Sequence, residues 1–167
     1  MRTLLSAVCF SLLSGIVSAA PPAAEPKPDV RITVKAVTAG TDRNGKSAVA
    51  SRRLEIRLEN REHRKLSGLQ VDWKIFGEDI RSDKKSVDAK GVKTVSIDAD
   101  GVLEVESDVA KFTETEGGVK TTGKGKNKRR IPQPDTGKRY AGYVVEIKQG
   151  GQVIAEASTN SLGKPNK

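Results

Sequence analysis

Arg53-Leu54-Glu55-Ile56-Arg57-Leu58-Glu59-Asn60 decides the fold. Leucine or isoleucine occupies every second position and a charged side chain stands between them, the period of an extended strand with one dry face and one wet face. An α-helix turns 100° per residue and would carry Leu54 and Ile56 to opposite sides. The segment is therefore read as a half-buried β-strand.

The same period recurs on both sides of it. Leu69, Val71, Trp73 and Ile75 alternate with Gln70, Asp72 and Lys74. Val30, Ile32 and Val34 alternate with Arg31, Thr33 and Lys35. Val95 and Ile97 make a shorter strand, and Val102, Leu103 and Val105 another. Tyr143, Val145 and Ile147 alternate with Val144, Glu146 and Lys148, and Gln149-Gly150-Gly151-Gln152 turns the chain into a returning strand over 153–157. Asn44-Gly45, Ser67-Gly68 and Asp100-Gly101 are turn signals between these runs. No stretch of ten residues carries a helical stripe. About seven strands with one polar face each predict an all-β chain, a two-sheet antiparallel sandwich with a small barrel as its rival.

The ends read differently. Met1-Arg2-Thr3 is a short positive start, residues 4–17 are apolar apart from Ser and Gly, and Ser18-Ala19-Ala20 are small. That is the layout of a secretory signal peptide over residues 1–19, cut after Ala19. The apolar run is shorter than the ~20 residues a spanning helix needs, so no transmembrane segment is expected after cleavage. Residues 20–28 hold four prolines and read as a stiff extended linker. The domain is expected over 29–161, with a disordered tail at 162–167. The only cysteine, Cys9, falls inside the signal, so the exported chain has no thiol to cross-link and its fold must hold by core burial. An exported location follows, in the periplasm or at the cell surface.

Charge is local. The chain has 30 basic and 21 acidic residues, and residues 120–139 contribute eight bases against Asp135 alone. Within them Lys124-Gly125-Lys126-Asn127-Lys128-Arg129-Arg130 packs five cations into seven residues. The segment is expected as a flexible basic loop. Either it is a solubilising insertion, or Lys124, Lys126, Lys128, Arg129 and Arg130 attract a polyanion such as a sulfated glycan or the phosphates of lipopolysaccharide. It lacks aromatic residues that would stack on bases, so no nucleic-acid partner is expected.

Chemistry-bearing residues are sparse. His63 is the single histidine, is flanked by Arg61, Glu62, Arg64 and Lys65, and is expected to stay neutral with no evident acid or base partner. Asp98-Ala99-Asp100-Gly101 is expected as a β-turn, since Glu104 and Glu106 do not supply the spacing of a calcium loop. Nucleophile elbows, zinc-helix motifs and phosphate-binding loops are absent, so neither an enzyme nor a cofactor is expected. Strand alternation turns Phe76 away from Val71, Trp73 and Ile75, where it either covers the end of the sandwich or marks a partner contact.

Trp73 in the third strand and Ala141-Gly142-Tyr143-Val144-Val145 in the sixth resemble the immunoglobulin or fibronectin-type superfamily. The resemblance makes Tyr143 a corner tyrosine and puts Val145 where the second disulfide cysteine would stand, opposite Leu54 or Ile56. Both cysteines are missing, and Arg139 stands where antibody-type domains often carry an acid. The layout also resembles small secreted immunoglobulin-like proteins of Gram-negative bacteria, at least one of which is associated with pilus machinery. Glu59-Asn60, residues 71–76 and residues 142–145 carry that likeness. It implies a protein partner in the envelope, met through a sheet edge, the face near Phe76 or the basic loop.

Overall fold

The computed structural model describes residues 27–123 and 125–159. The expected signal peptide, the expected linker up to residue 26, Lys124 and the expected tail lie outside them. The described residues form ten strands: β1 (Val30–Asn44), β2 (Ser47–Asn60), β3 (Leu66–Asp79), β4 (Lys85–Ile97), β5 (Val102–Glu106), β6 (Ala110–Thr115), β7 (Val119–Thr122), β8 (Arg129–Pro132), β9 (Thr136–Gln149) and β10 (Gln152–Ser158). A single 3-10 turn, Gly125–Asn127, separates β7 from β8.

The chain is all-β and its ladders are antiparallel, as expected, but the count is ten and not about seven. The extra strands come from stretches with few apolar residues. β6 has only Ala110 and Phe112 to mark it, and the small β7–β8 ladder is exposed at nearly every position. Eight strands join in the order β1-β2-β6-β9-β3-β4, with β10 beside β9 and β5 beside β2. The β6–β9 link is short, pairing Glu114 with Gly137 and Thr115 with Thr136. It divides the strands into one group around β2 and another around β3 and β9.

Both groups feed one core. Leu54, Ile56 and Leu58 of β2, Val105 of β5 and Phe112 of β6 share a hydrophobic cluster with Leu69, Val71, Trp73 and Ile75 of β3 and Val145 and Ile147 of β9. At about 25 cal/mol per Å² of apolar surface removed from water, each large side chain here contributes about 1.5–3 kcal/mol. Among the described residues Asn60 is the one polar side chain buried as deeply, and its amide is used at both ends. Its Nδ2 donates to the carbonyls of Arg64 and Asp98, both at 2.8 Å, and its Oδ1 accepts from Glu62 N at 3.0 Å.

Tyr143 differs from a corner tyrosine. Its Oη donates to the Val34 carbonyl on β1, 3.3 Å away and 109 residues upstream. It thus ties β9 to the otherwise open side of β1, which also lies against β10. β-bulges shift the register on both sides of β3, at Ile75/Phe76 towards β4 and at Phe76/Gly77 towards β9. Each bulge re-aims the side chains beyond it.

Candidate functional site

The segment expected as a flexible loop is a β-hairpin. β7 and β8 pair Val119 with Pro132, Lys120 with Ile131, Thr121 with Arg130 and Thr122 with Arg129. Its base is fixed from several directions. Gln133 N donates to the Gly118 carbonyl at 2.6 Å, and Gly117 N donates to Asp135 Oδ1 at 2.6 Å. Gly117 must be glycine there, because a Cβ would stand 1.9 Å from the Gln133 carbonyl oxygen. Glu116 joins the hairpin to the β1–β2 turn: its N donates to the Lys46 carbonyl at 2.8 Å, and its carboxylate pairs with Arg43 at 2.7 Å.

Lys126, Lys128, Arg129 and Arg130 are all exposed, and so is Lys120. No ion pair holds any of these five among the described residues. Lys124 lies outside those residues. By contrast, Lys138 and Arg139, which also belong to the basic stretch, are neutralised. Lys138 donates to Asp88 at 2.5 Å, and Arg139 meets Glu78 at 3.0 Å. Within the basic stretch the uncompensated charge therefore narrows to the hairpin.

Opposed residues in a ladder share a face and successive ones alternate. Lys120 and Arg129 accordingly project from one face of the hairpin and Arg130 from the other. Lys126 and Lys128 stand at the tip. The hairpin can therefore meet negative charge from either side and around its end. Lys46 is an addition that sequence reading missed. It sits 74 residues before Lys120, yet its ammonium comes within 2.6 Å of where a Gly118 Cβ would be, at the hairpin base.

The other residues singled out from the sequence stand apart from this hairpin. Phe76 is half-buried on β3, between Val87 of β4 and Gly142 of β9, while Val71, Trp73 and Ile75 are buried. His63 does have a partner: its Nδ1 lies 2.9 Å from Asp100 Oδ2, and that hydrogen bond raises its pKa above the ordinary 6.5. The expectation of a histidine without an acid partner is overturned by the β4–β5 turn. Gly101 N closes that turn on the Asp98 carbonyl at 3.0 Å, and Asp100, at φ 52°, is swung towards His63.

Two other charged clusters complete the picture. A groove of about 470 Å³ on the outer face of β1, β2 and β5 is lined by Thr33, Lys35, Glu55, Arg57, Glu104 and Glu106. Its carboxylates lie against arginines in solvent: Arg53 reaches Glu55 at 3.4 Å and Glu106 at 3.3 Å, and Arg57 reaches Glu104 at 3.6 Å. That is a solvated ion-pair ladder. On the outer face of β3 and β9, Lys148 bonds Asp72 at 2.5 Å and Glu146 at 2.8 Å, and these two carboxylates raise its pKa. Among the described residues no group of three or more His, Cys, Asp or Glu is arranged to hold a metal.

No family model matches the chain, and no curated protein does. Among solved structures it is similar to the X-ray structure of Northeast Structural Genomics Consortium target SoR45, with a TM-score of 0.39 and 14% identity over 77% of this chain and 84% of that one.

Proposed function

We propose that this chain is an exported, non-enzymatic interaction module of the bacterial envelope, an immunoglobulin-like two-sheet sandwich that binds an anionic polymer through its basic hairpin. One observation carries the reading: Lys120, Lys126, Lys128, Arg129 and Arg130 are exposed and without ion pairs among the described residues, on a hairpin whose base is fixed. Fixing the base lowers the ordering cost of binding, and spreading cations over two faces and a tip suits a flexible chain of sulfates or phosphates better than a compact anion. The signal-like residues 1–19 and the absence of cysteine beyond Cys9 support export. The single core shared by the β2 group and the β3–β9 group supports the sandwich.

Heparin retention as a function of salt tests the site. Binding by several cations weakens steeply between low and physiological salt as counterions are released. Replacing Lys124, Lys126, Lys128, Arg129 and Arg130 by Ser should abolish retention, and unchanged retention would remove the proposal. Competition with lipopolysaccharide against heparan-type glycans then separates phosphate from sulfate as the natural charge.

Half-exposed Phe76 beside exposed Val87 favours a second reading, a protein partner in the envelope such as a component of pilus machinery. Cross-linking in native envelope extract tests it. A monomer without adducts would count against that partner.

A further inference from the structure

β4 is a long open edge of the large sheet, beside the shorter edges β5 and β10: it pairs with β3 alone, over Lys85–Ile97. The opposite border is not open in the same way, because Tyr143 occupies the Val34 carbonyl and β10 lies against β1. From Val87 to Ile97 this edge strand leaves alternate backbone N–H and C=O groups facing outward, a template for another extended chain.

The side chains beside this edge carry an unresolved charge. Lys74 of β3 and Lys90 of β4 are directly opposed in the ladder, and like charges so placed repel. Neither has an ion pair among the described residues. They border a groove of about 390 Å³ whose other lining residues are Val87, Asp88 and Ala89. Asp88 does not neutralise them, because its carboxylate is taken by Lys138 at 2.5 Å. Apolar surface flanks the lysine pair: Val87, opposite Phe76, is 45% exposed, and Val92, opposite Asp72, is 64% exposed.

We infer that β4 docks an extended acidic segment of a partner polypeptide, which adds to the sheet as a further antiparallel strand. Along the outer face Lys90 and Val92 ask for acidic then apolar at alternate positions of the incoming strand, and Val87, on the far side of the bulge at Asp88, offers a further apolar contact. Its carboxylate would sit between Lys90 and Lys74 and relieve their repulsion, while its backbone takes the free hydrogen-bonding groups. The positive edge also disfavours a second copy of β4 as the occupant. This site is separate from the hairpin and does not depend on the polyanion reading.

The test uses a labelled nonapeptide that alternates Val and Glu on one face and Thr on the other, in fluorescence anisotropy with the full folded protein. Saturable binding is expected, with at least a tenfold loss in the Lys74→Glu/Lys90→Glu variant and no loss in the hairpin serine variant. A peptide with Lys in place of Glu should show the reverse preference, binding the Glu variant and not the native protein. Amide exchange should slow in β4 and nowhere in β7 or β8. Absence of binding, loss of no more than twofold in the Glu variant, or failure of the charge swap would overturn the assignment. Concentration-dependent dimerisation through β4 would do so too, by giving the edge to a second copy.

Discussion

The six-membered ring of Trp73 covers Gly91, its cross-strand partner on β4, so closely that a Cβ at Gly91 would fall 2.3 Å from Cζ2. The glycine lets the indole lie against backbone, and the indole shields a strand that has no side chain of its own there.

Gly91→Ala should therefore cost about 1–3 kcal/mol by overpacking. Trp73→Ala should cost about 3–5 kcal/mol through the cavity it leaves. Because the two residues touch, the double variant should be less destabilised than the sum of the single ones. Urea denaturation followed by circular dichroism reads all three. Additive losses would show that the two residues do not share a contact.

Asn60 holds three backbone groups from two loops with one side chain. Replacing it with Ala removes the donor to the Arg64 and Asp98 carbonyls and the acceptor of Glu62 N. Asp98 keeps Gly101 N as a partner, so the loss is centred on the Arg64 carbonyl and Glu62 N, at about 1–3 kcal/mol. Asn60→Asp should be no rescue, since a carboxylate can accept from Glu62 N but cannot donate to either carbonyl. Thermal unfolding of both variants should show lowered midpoints.

His63 has a raised pKa because Asp100 hydrogen-bonds its ring and attracts its charge. The folded state therefore prefers the protonated ring. Its stabilising effect is complete below the ordinary pKa of 6.5 and disappears as pH rises through the folded value. In an NMR titration, Asp100→Asn should bring the His63 midpoint down. An unmoved midpoint would mean that the pair does not form in solution.

Asp79 behaves in the opposite sense. Its Oδ1 accepts from Ser82 N at 2.9 Å, Ser82 Oγ at 2.9 Å and Arg81 N at 3.0 Å, and these bonds lower its pKa below the ordinary 3.8. The stabilising effect is present above that ordinary value and is lost as pH falls through the folded one. Asp79→Ala should lower stability at pH 7 and narrow its gap from the native protein in strong acid, as measured by denaturation at each pH.

Arg129 and Arg130 project from opposite faces of the hairpin. If a polyanion wraps the hairpin, Arg129→Ser and Arg130→Ser should each lower the salt needed to elute the protein from heparin, and together they should add. An effect from one alone would restrict contact to a single face.

The strands with a dry face were legible in the sequence, because burial enforces the period of two. β2, the middle of β3 and the end of β9 all show it. The stretches that stayed hidden lack that constraint. β4 buries only Ile97, and the far end of β1 is exposed from Thr38 to Asn44, so nothing in their composition distinguishes edge strand from loop. Tyr140 and Tyr143 both pack against the core although an odd number of positions separates them, because the bulge between them changes the alternation. Of the candidate site, the cations were visible as a run. Their division between two faces and the approach of Lys46 depend on pairing between distant parts of the chain, which no local pattern records.

β9 pairs with β3, β6 and β10, yet it begins only at Thr136. A chain appearing from its N-terminus can close the β1–β2 and β3–β4 hairpins early, since both are local, but the two halves stay unjoined until this late strand arrives. Trp73 must wait 72 residues for its partner Val145. Joining the halves thus depends on long-range pairing, the kind that slows folding, and the β3 border that β9 will cover is bare for the whole interval.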